Sequence, residues 1–230
     1  MLVTRRRICY SIAVRPIQAG EEFSSMTIED FGARVVSVWQ GLRPATRSLV
    51  ERALSAAPPP ATQRADAAYD ARSEWELSRL LAALDERAAE KGVAALSADQ
   101  SRELDRFAET CARVLRSGAR SAEVFAQLLE RALRAKDYAR VDTIADVMTA
   151  RLAPSELCEM ARQTNPAVRA VAQEAMLQLP TSVLVALLGD PVDAEIARAA
   201  LESQADEYES EEARFVVNAL EQVDADEDDF

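Results

Sequence analysis

The chain has 230 residues, a formal net charge of -12 and no histidine. Without imidazole, every triad that uses it and most zinc sites are excluded. Apolar residues make up 49% and charged residues 29%, which is ordinary for a folded globular protein, and only six glycines and 5% aromatics accompany about a fifth of alanine. That balance argues for an almost entirely helical chain.

Residues 1–25 differ from the rest. Arg5, Arg6 and Arg7 precede an apolar stretch, Ile8 to Val14, that is broken by Arg15-Pro16 and followed by no small-residue cleavage site. The segment therefore reads against a secretory signal. Gly20-Glu21-Glu22 can be encoded by a purine-rich run like a bacterial ribosome-binding site, with Met26 shortly after. Twenty-five arginines against two lysines suit a high-GC bacterial genome. The expectation is that translation starts at Met26 and that 1–25 is a disordered or mis-assigned extension.

From Met26 onward the apolar residues recur with helical period. Thr27 with Asp30 resembles a capping box opening a helix with the stripe Ile28, Phe31, Val35, Val38, Trp39 and Leu42. Pro44 opens a second helix with Leu49, Val50 and Leu54, so 26–57 reads as a helical hairpin. Pro58-Pro59-Pro60 ends it, and 58–64 is a stiff linker and the one plausible domain boundary. Residues 65–222 then form the main helical body. Its first helix carries Tyr69, Trp75, Leu77, Leu80, Leu81 and Leu84 and stops at Gly92; Ser97 and Gln100 make the next capping box, before Leu104, Phe107, Cys111, Val114 and Leu115.

The second half of the chain repeats. Helices open at Ser121, Asp137, Ser155, Asn165-Pro166, Thr181 and Asp190-Pro191, and Asp137, Asn165 and Asp190 stand 28 and 25 residues apart. Such a period marks stacked helical hairpins that bury their apolar faces only against neighbours. The run Leu179 to Leu188 followed by Asp190-Pro191 resembles the first helix and turn of a short HEAT repeat, and Val168 to Met176 is similar to that family's second helix. The likeness covers residues 121–205. The sequence departs from the pattern at Asn165, which replaces a turn aspartate, and at Asp193 and Glu195, which leave the last repeat without its arginine.

The resemblance implies an all-α, right-handed α-solenoid of stacked antiparallel hairpins, with an inner surface lined by the second helices and holding a protein or peptide. Positions opposite the apolar stripes then give the candidate binding residues Arg140, Thr143 and Asp146, Arg169, Gln173 and Glu174, and Arg198. The expected role is a non-enzymatic interaction scaffold or regulator; an accessory or chaperone-like subunit of a partner enzyme is the alternative, and a HEAT-like DNA-repair protein a more distant one.

Charge weighs against nucleic acid as the partner. Residues 202–230 carry twelve acids against Arg214 alone, leaving 1–201 nearly neutral, and the most basic stretch, Arg113 to Arg140, has a surplus of four positive charges. Exposed helical faces carry such alternation routinely. Residues 223–230 read as a self-repelling, disordered acidic tail. Glu86/Glu90 and Asp142/Asp146 share helix faces as solvated carboxylates, with no phosphate loop, serine elbow or nucleotide fingerprint beside them. Cys9, Cys111 and Cys158 lack metal-ligand spacing, and the last two fall on apolar stripes as buried thiols. The longest apolar run is far too short to span a bilayer. The sequence thus predicts a monomeric, cytoplasmic protein without cofactor or metal.

Overall fold

The computed structural model describes residues 28–55, 69–91 and 96–228, with side chains to residue 222. The expectations for 1–25, for the proline-rich linker and for Cys9 lie outside these residues, as does the end of the acidic tail.

After a single 3-10 turn, Ile28–Phe31, the described residues form eleven α-helices and no strand: α1 Ala33–Gly41, α2 Pro44–Ser55, α3 Ala71–Ala89, α4 Ala98–Gly118, α5 Ala122–Arg134, α6 Tyr138–Arg151, α7 Pro154–Ala161, α8 Pro166–Leu177, α9 Thr181–Leu187, α10 Ala194–Asp206 and α11 Glu211–Asp228. Local chemistry sets most of the starts. Ser97 and Gln100 exchange both bonds of a capping box at α4, Ser121 caps α5, Asp137 caps α6, and Asn165 caps α8 ahead of Pro166.

Four starts differ from the sequence reading. The helix expected from Thr27 is cut at Gly32, whose φ of 99° belongs to glycine rather than to L side chains. The cut lets Phe31 turn fully inward, edge-on to Phe107 with ring centroids 5.7 Å apart. Helix α7 begins at Pro154 rather than Ser155. Thr181 is already the first residue of α9 and spends its hydroxyl on Gln204 Oε1 at 3.3 Å instead of capping its own helix. Asp190 accepts from the Val192 N–H in a turn, and α10 starts only at Ala194.

Helices pack in sequential pairs and, along most of the chain, on the next but one. Thus α3 packs on α4, α5 on α6, α7 on α8 and α9 on α10, while α3–α5–α7–α9–α11 form one row and α6–α8–α10 part of another. One core runs through the rows, from Phe31, Leu80, Leu81 and Leu84 through Phe125, Leu129, Ile144 and Met148 to Leu157, Met176 and Leu201. Alanines 172, 175, 197 and 200 on α8 and α10 are buried and let these helices approach closely.

Met176 is fully buried where α8 meets its neighbours. Met176→Asp is expected to cost at least about 3 kcal/mol, because it places an unpaired carboxylate among apolar side chains. Denaturant unfolding followed by circular dichroism measures the loss; an unchanged midpoint would contradict the packing assigned to α8.

Candidate functional site

The start of α3 is the least expected part of the molecule. Trp75, assigned to the apolar stripe, is 52% exposed and stacks under the Arg79 guanidinium at 4.7 Å, whereas Glu74 and Glu76 are only 6% and 4% exposed. Tyr69 precedes the helix, with a half-exposed ring. The inversion has a tertiary cause. This turn of α3 is flanked by the starts of α2 and α5, and a helix start presents amide N–H groups that lack intrahelical acceptors and a partial positive charge.

Glu76 turns towards α2. It accepts from the Arg43 N–H at 3.2 Å, from Arg43 Nε at 3.0 Å and from the Thr46 hydroxyl. Glu74 turns the other way and accepts from the backbone N–H groups of Arg120 and Ser121 at 3.2 and 3.0 Å, while Glu156 of α7 takes the Ala122 N–H at 2.6 Å. The start of α5 is thereby held by carboxylates from the helices on both sides.

Arg43 extends the first cluster to Asp70 and Ser73, at 2.8 and 2.9 Å from its Nη2. Hydrogen bonds from the Ser73 hydroxyl and N–H, together with Arg43, hold the Asp70 carboxyl down at about 2. Burial pushes the Glu76 carboxyl up, but the Thr46 hydroxyl and Arg43 outweigh it and keep the group below its ordinary value. Tyr69 is driven the opposite way, to about 12, first by burial and then by its hydrogen bond to Glu74.

Beside these clusters lies a groove of about 1000 Å³. Its floor is apolar, built from Leu49 of α2, Leu77 of α3, Val114 and Leu115 of α4, and Val147 of α6. Arg52, Tyr69, Arg120, Asp146 and Arg151 stand around it. Four helices meet here because Arg151 Nη1 donates to the Arg116 carbonyl at 2.7 Å near the end of α4, and Arg113 Nη2 to the Ala53 carbonyl at 2.8 Å near the end of α2.

Of the seven residues predicted to bind a partner, only Asp146 lines this groove. Arg140 reaches Glu109 of α4 at 2.6 Å and Asp137 at 3.1 Å, so it ties α6 to α4. Thr143 bonds back to the Ala139 carbonyl on its own helix. Arg169 Nη1 donates to the carbonyls of Gln163 and Thr164, closing the α7–α8 turn. Gln173 is exposed, Glu174 accepts from the Tyr208 hydroxyl at 3.4 Å, and Arg198 is half-buried on α10. The structure therefore spreads this set along α6, α8 and α10 rather than gathering it.

The basic stretch is largely spent inside the fold. Arg131 and Arg134 pair with Asp85 of α3, and Arg116 with Glu109 at 3.2 Å. The two described thiols are fully buried and free, with burial raising Cys111 to about 12 and Cys158 to about 11. Among the described residues no group of histidine, cysteine or carboxylate side chains is arranged to hold a metal, and no single helix is long and apolar enough to cross a membrane. No family model matches the chain, and neither do any curated protein or solved structure.

Sequence reasoning did not bring Leu49, Arg52, Tyr69 and Arg120 together because they come from three separate stretches: α2, the residues before α3 and the α4–α5 turn. Only Arg52 carried a local hint, standing three and seven positions after Leu49 and Ala45 on one face of α2.

Asp70 and Glu76 both have folded values below their unfolded ones. Their contribution to stability is therefore complete above the ordinary carboxylate range near 4 and is lost as pH falls through the folded values, towards about 2 for Asp70. Melting temperature should drop more steeply between roughly pH 4 and 2 in the native chain than in Asp70→Asn. Parallel curves would refute the assignment.

Proposed function

We propose that the protein is a right-handed α-solenoid of the HEAT-like kind that binds a segment of another protein in the groove between α2, α3, α4 and α6, and that its role is one of interaction rather than catalysis. The groove carries this reading: an apolar floor within a polar rim is the form of a site that takes side chains of a partner.

Two further observations support it. The N-cap positions of α6, α8 and α10, Asp137, Asn165 and Asp193, are evenly spaced, and α5–α6, α7–α8 and α9–α10 pack as pairs while α6–α8–α10 form a row, as stacked hairpins do. The groove is also walled by α2, α4 and α6, the second helices of successive hairpins, as the resemblance implies for a binding surface. The reading places the protein in a reducing compartment, where the free thiols Cys111 and Cys158 persist.

Filling the groove tests the reading. Ala45 and Ala150 line it and are exposed, so Ala45→Trp and Ala150→Trp add bulk there without disturbing the core. Each variant should unfold within about 0.5 kcal/mol of the native chain and bind a purified partner, or a peptide selected against the native chain, at least tenfold more weakly. Native affinity in both variants would move the binding surface elsewhere.

A further inference from the structure

The charges around the groove identify the kind of segment it takes, given that it takes one. Many arginines of the molecule meet carboxylates, such as Arg43 and Arg72 at Glu76, Arg131 and Arg134 at Asp85, Arg140 and Arg116 at Glu109, and Arg162 at Asp193, and others such as Arg113, Arg169 and Arg214 are spent on carbonyls. Arg52 and Arg120, by contrast, are both exposed on the lining of the groove, and neither forms a salt bridge among the described residues. Arg52 bonds only to the Ser48 carbonyl of its own helix, through Nε at 3.1 Å, and Arg120 lies over the Tyr69 ring at 5.0 Å.

The acids of the lining are mostly engaged elsewhere. Glu74 is buried on the backbone amides of Arg120 and Ser121, and Asp70 is held by Arg43 and Ser73. Asp146 alone stands on the α6 wall. Two guanidinium groups that form no salt bridge among the described residues thus flank an apolar floor.

We propose that the groove binds an acidic peptide segment of a partner protein, one in which carboxylates flank an apolar side chain. The apolar residue enters between Leu49, Val114 and Val147, and the carboxylates meet Arg52 and Arg120, whose planar forks match carboxylate geometry. Stacking on Tyr69 already restrains Arg120, which reduces the ordering cost of the contact. A basic segment gains no charge pair at either arginine. A nucleic-acid strand needs a longer cationic track than two arginines on an acidic protein. The acidic surplus lies in residues 202–230, so repulsion there steers an acidic segment away from the C-terminal end of the chain.

The test selects a phage-displayed random peptide library on the purified full chain and, in parallel, on an Arg52→Glu, Arg120→Glu variant shown by circular dichroism to keep its helicity. Peptides enriched on the native chain should combine Asp or Glu with Leu, Phe or Trp. They should bind the variant at least tenfold more weakly and lose affinity with salt, while the variant enriches Lys- and Arg-containing peptides instead. Arg52→Gln with Arg120→Gln serves if the charge-reversed chain fails to fold, and should show the same loss without the reversal. Enriched peptides that lack acids, or that bind both chains alike while Ala45→Trp still blocks them, overturn this inference and leave groove binding standing. Failure to enrich any peptide that Ala45→Trp blocks overturns both. Preferential binding of a single-stranded oligonucleotide, abolished by the same arginine substitutions, overturns the peptide assignment.

Discussion

A fold made of many short helices must satisfy many helix ends. Each α-helix leaves amide N–H groups at its start and carbonyls at its end without internal partners, and in a stack these ends meet neighbouring helices as well as water. The chain meets the constraint with side chains from the next layer. Glutamates take the starts: Glu76 at α2, Glu74 and Glu156 at α5. Arginines take the ends: Arg113 at Ala53 of α2, Arg151 at Arg116 of α4, Arg214 at Ala205 of α10. Gln204 does both kinds of work at the α8–α9 turn, donating to the carbonyls of Leu177 and Leu179 and accepting from Thr181. Among the described residues no buried side-chain polar atom is left without a partner.

This division of labour explains the composition. Several of the arginines link helices as well as coat them, because a guanidinium has five donors on a long stem and can span from one helix to a carbonyl or carboxylate on another. Asp85 draws Arg131 and Arg134 of α5 onto α3, and Asp193 draws Arg162 of α7 onto the start of α10.

The groove follows from the same constraint. Once Glu74 and Glu76 are committed to α5 and α2, the start of α3 is held between them and the walls from α2, α4 and α6 are set around an apolar floor. The side chains left over at the rim, Arg52 and Arg120, are those that no helix end or carboxylate recruits. On the proposed reading, the groove takes its partner where the internal pairing of charges stops.

The helices were legible from the sequence because their causes are local. A stripe such as Leu104, Cys111 and Leu115 repeats with the turn of the helix, and Ser97 with Gln100, Ser121, Asp137 and Asn165 cap residues only two or three positions away. Where a cap competes with a distant partner, local reading fails: Thr181 gives its hydroxyl to Gln204, 23 positions away, and Phe31 turns into the core only because Gly32 adopts a backbone angle that other residues avoid. The burial of Glu74 and Glu76, the exposure of Trp75 and the assembly of the groove depend on amides and side chains up to 60 positions away. A periodic pattern specifies which face of a helix is apolar, whereas tertiary packing decides which polar groups its neighbours require.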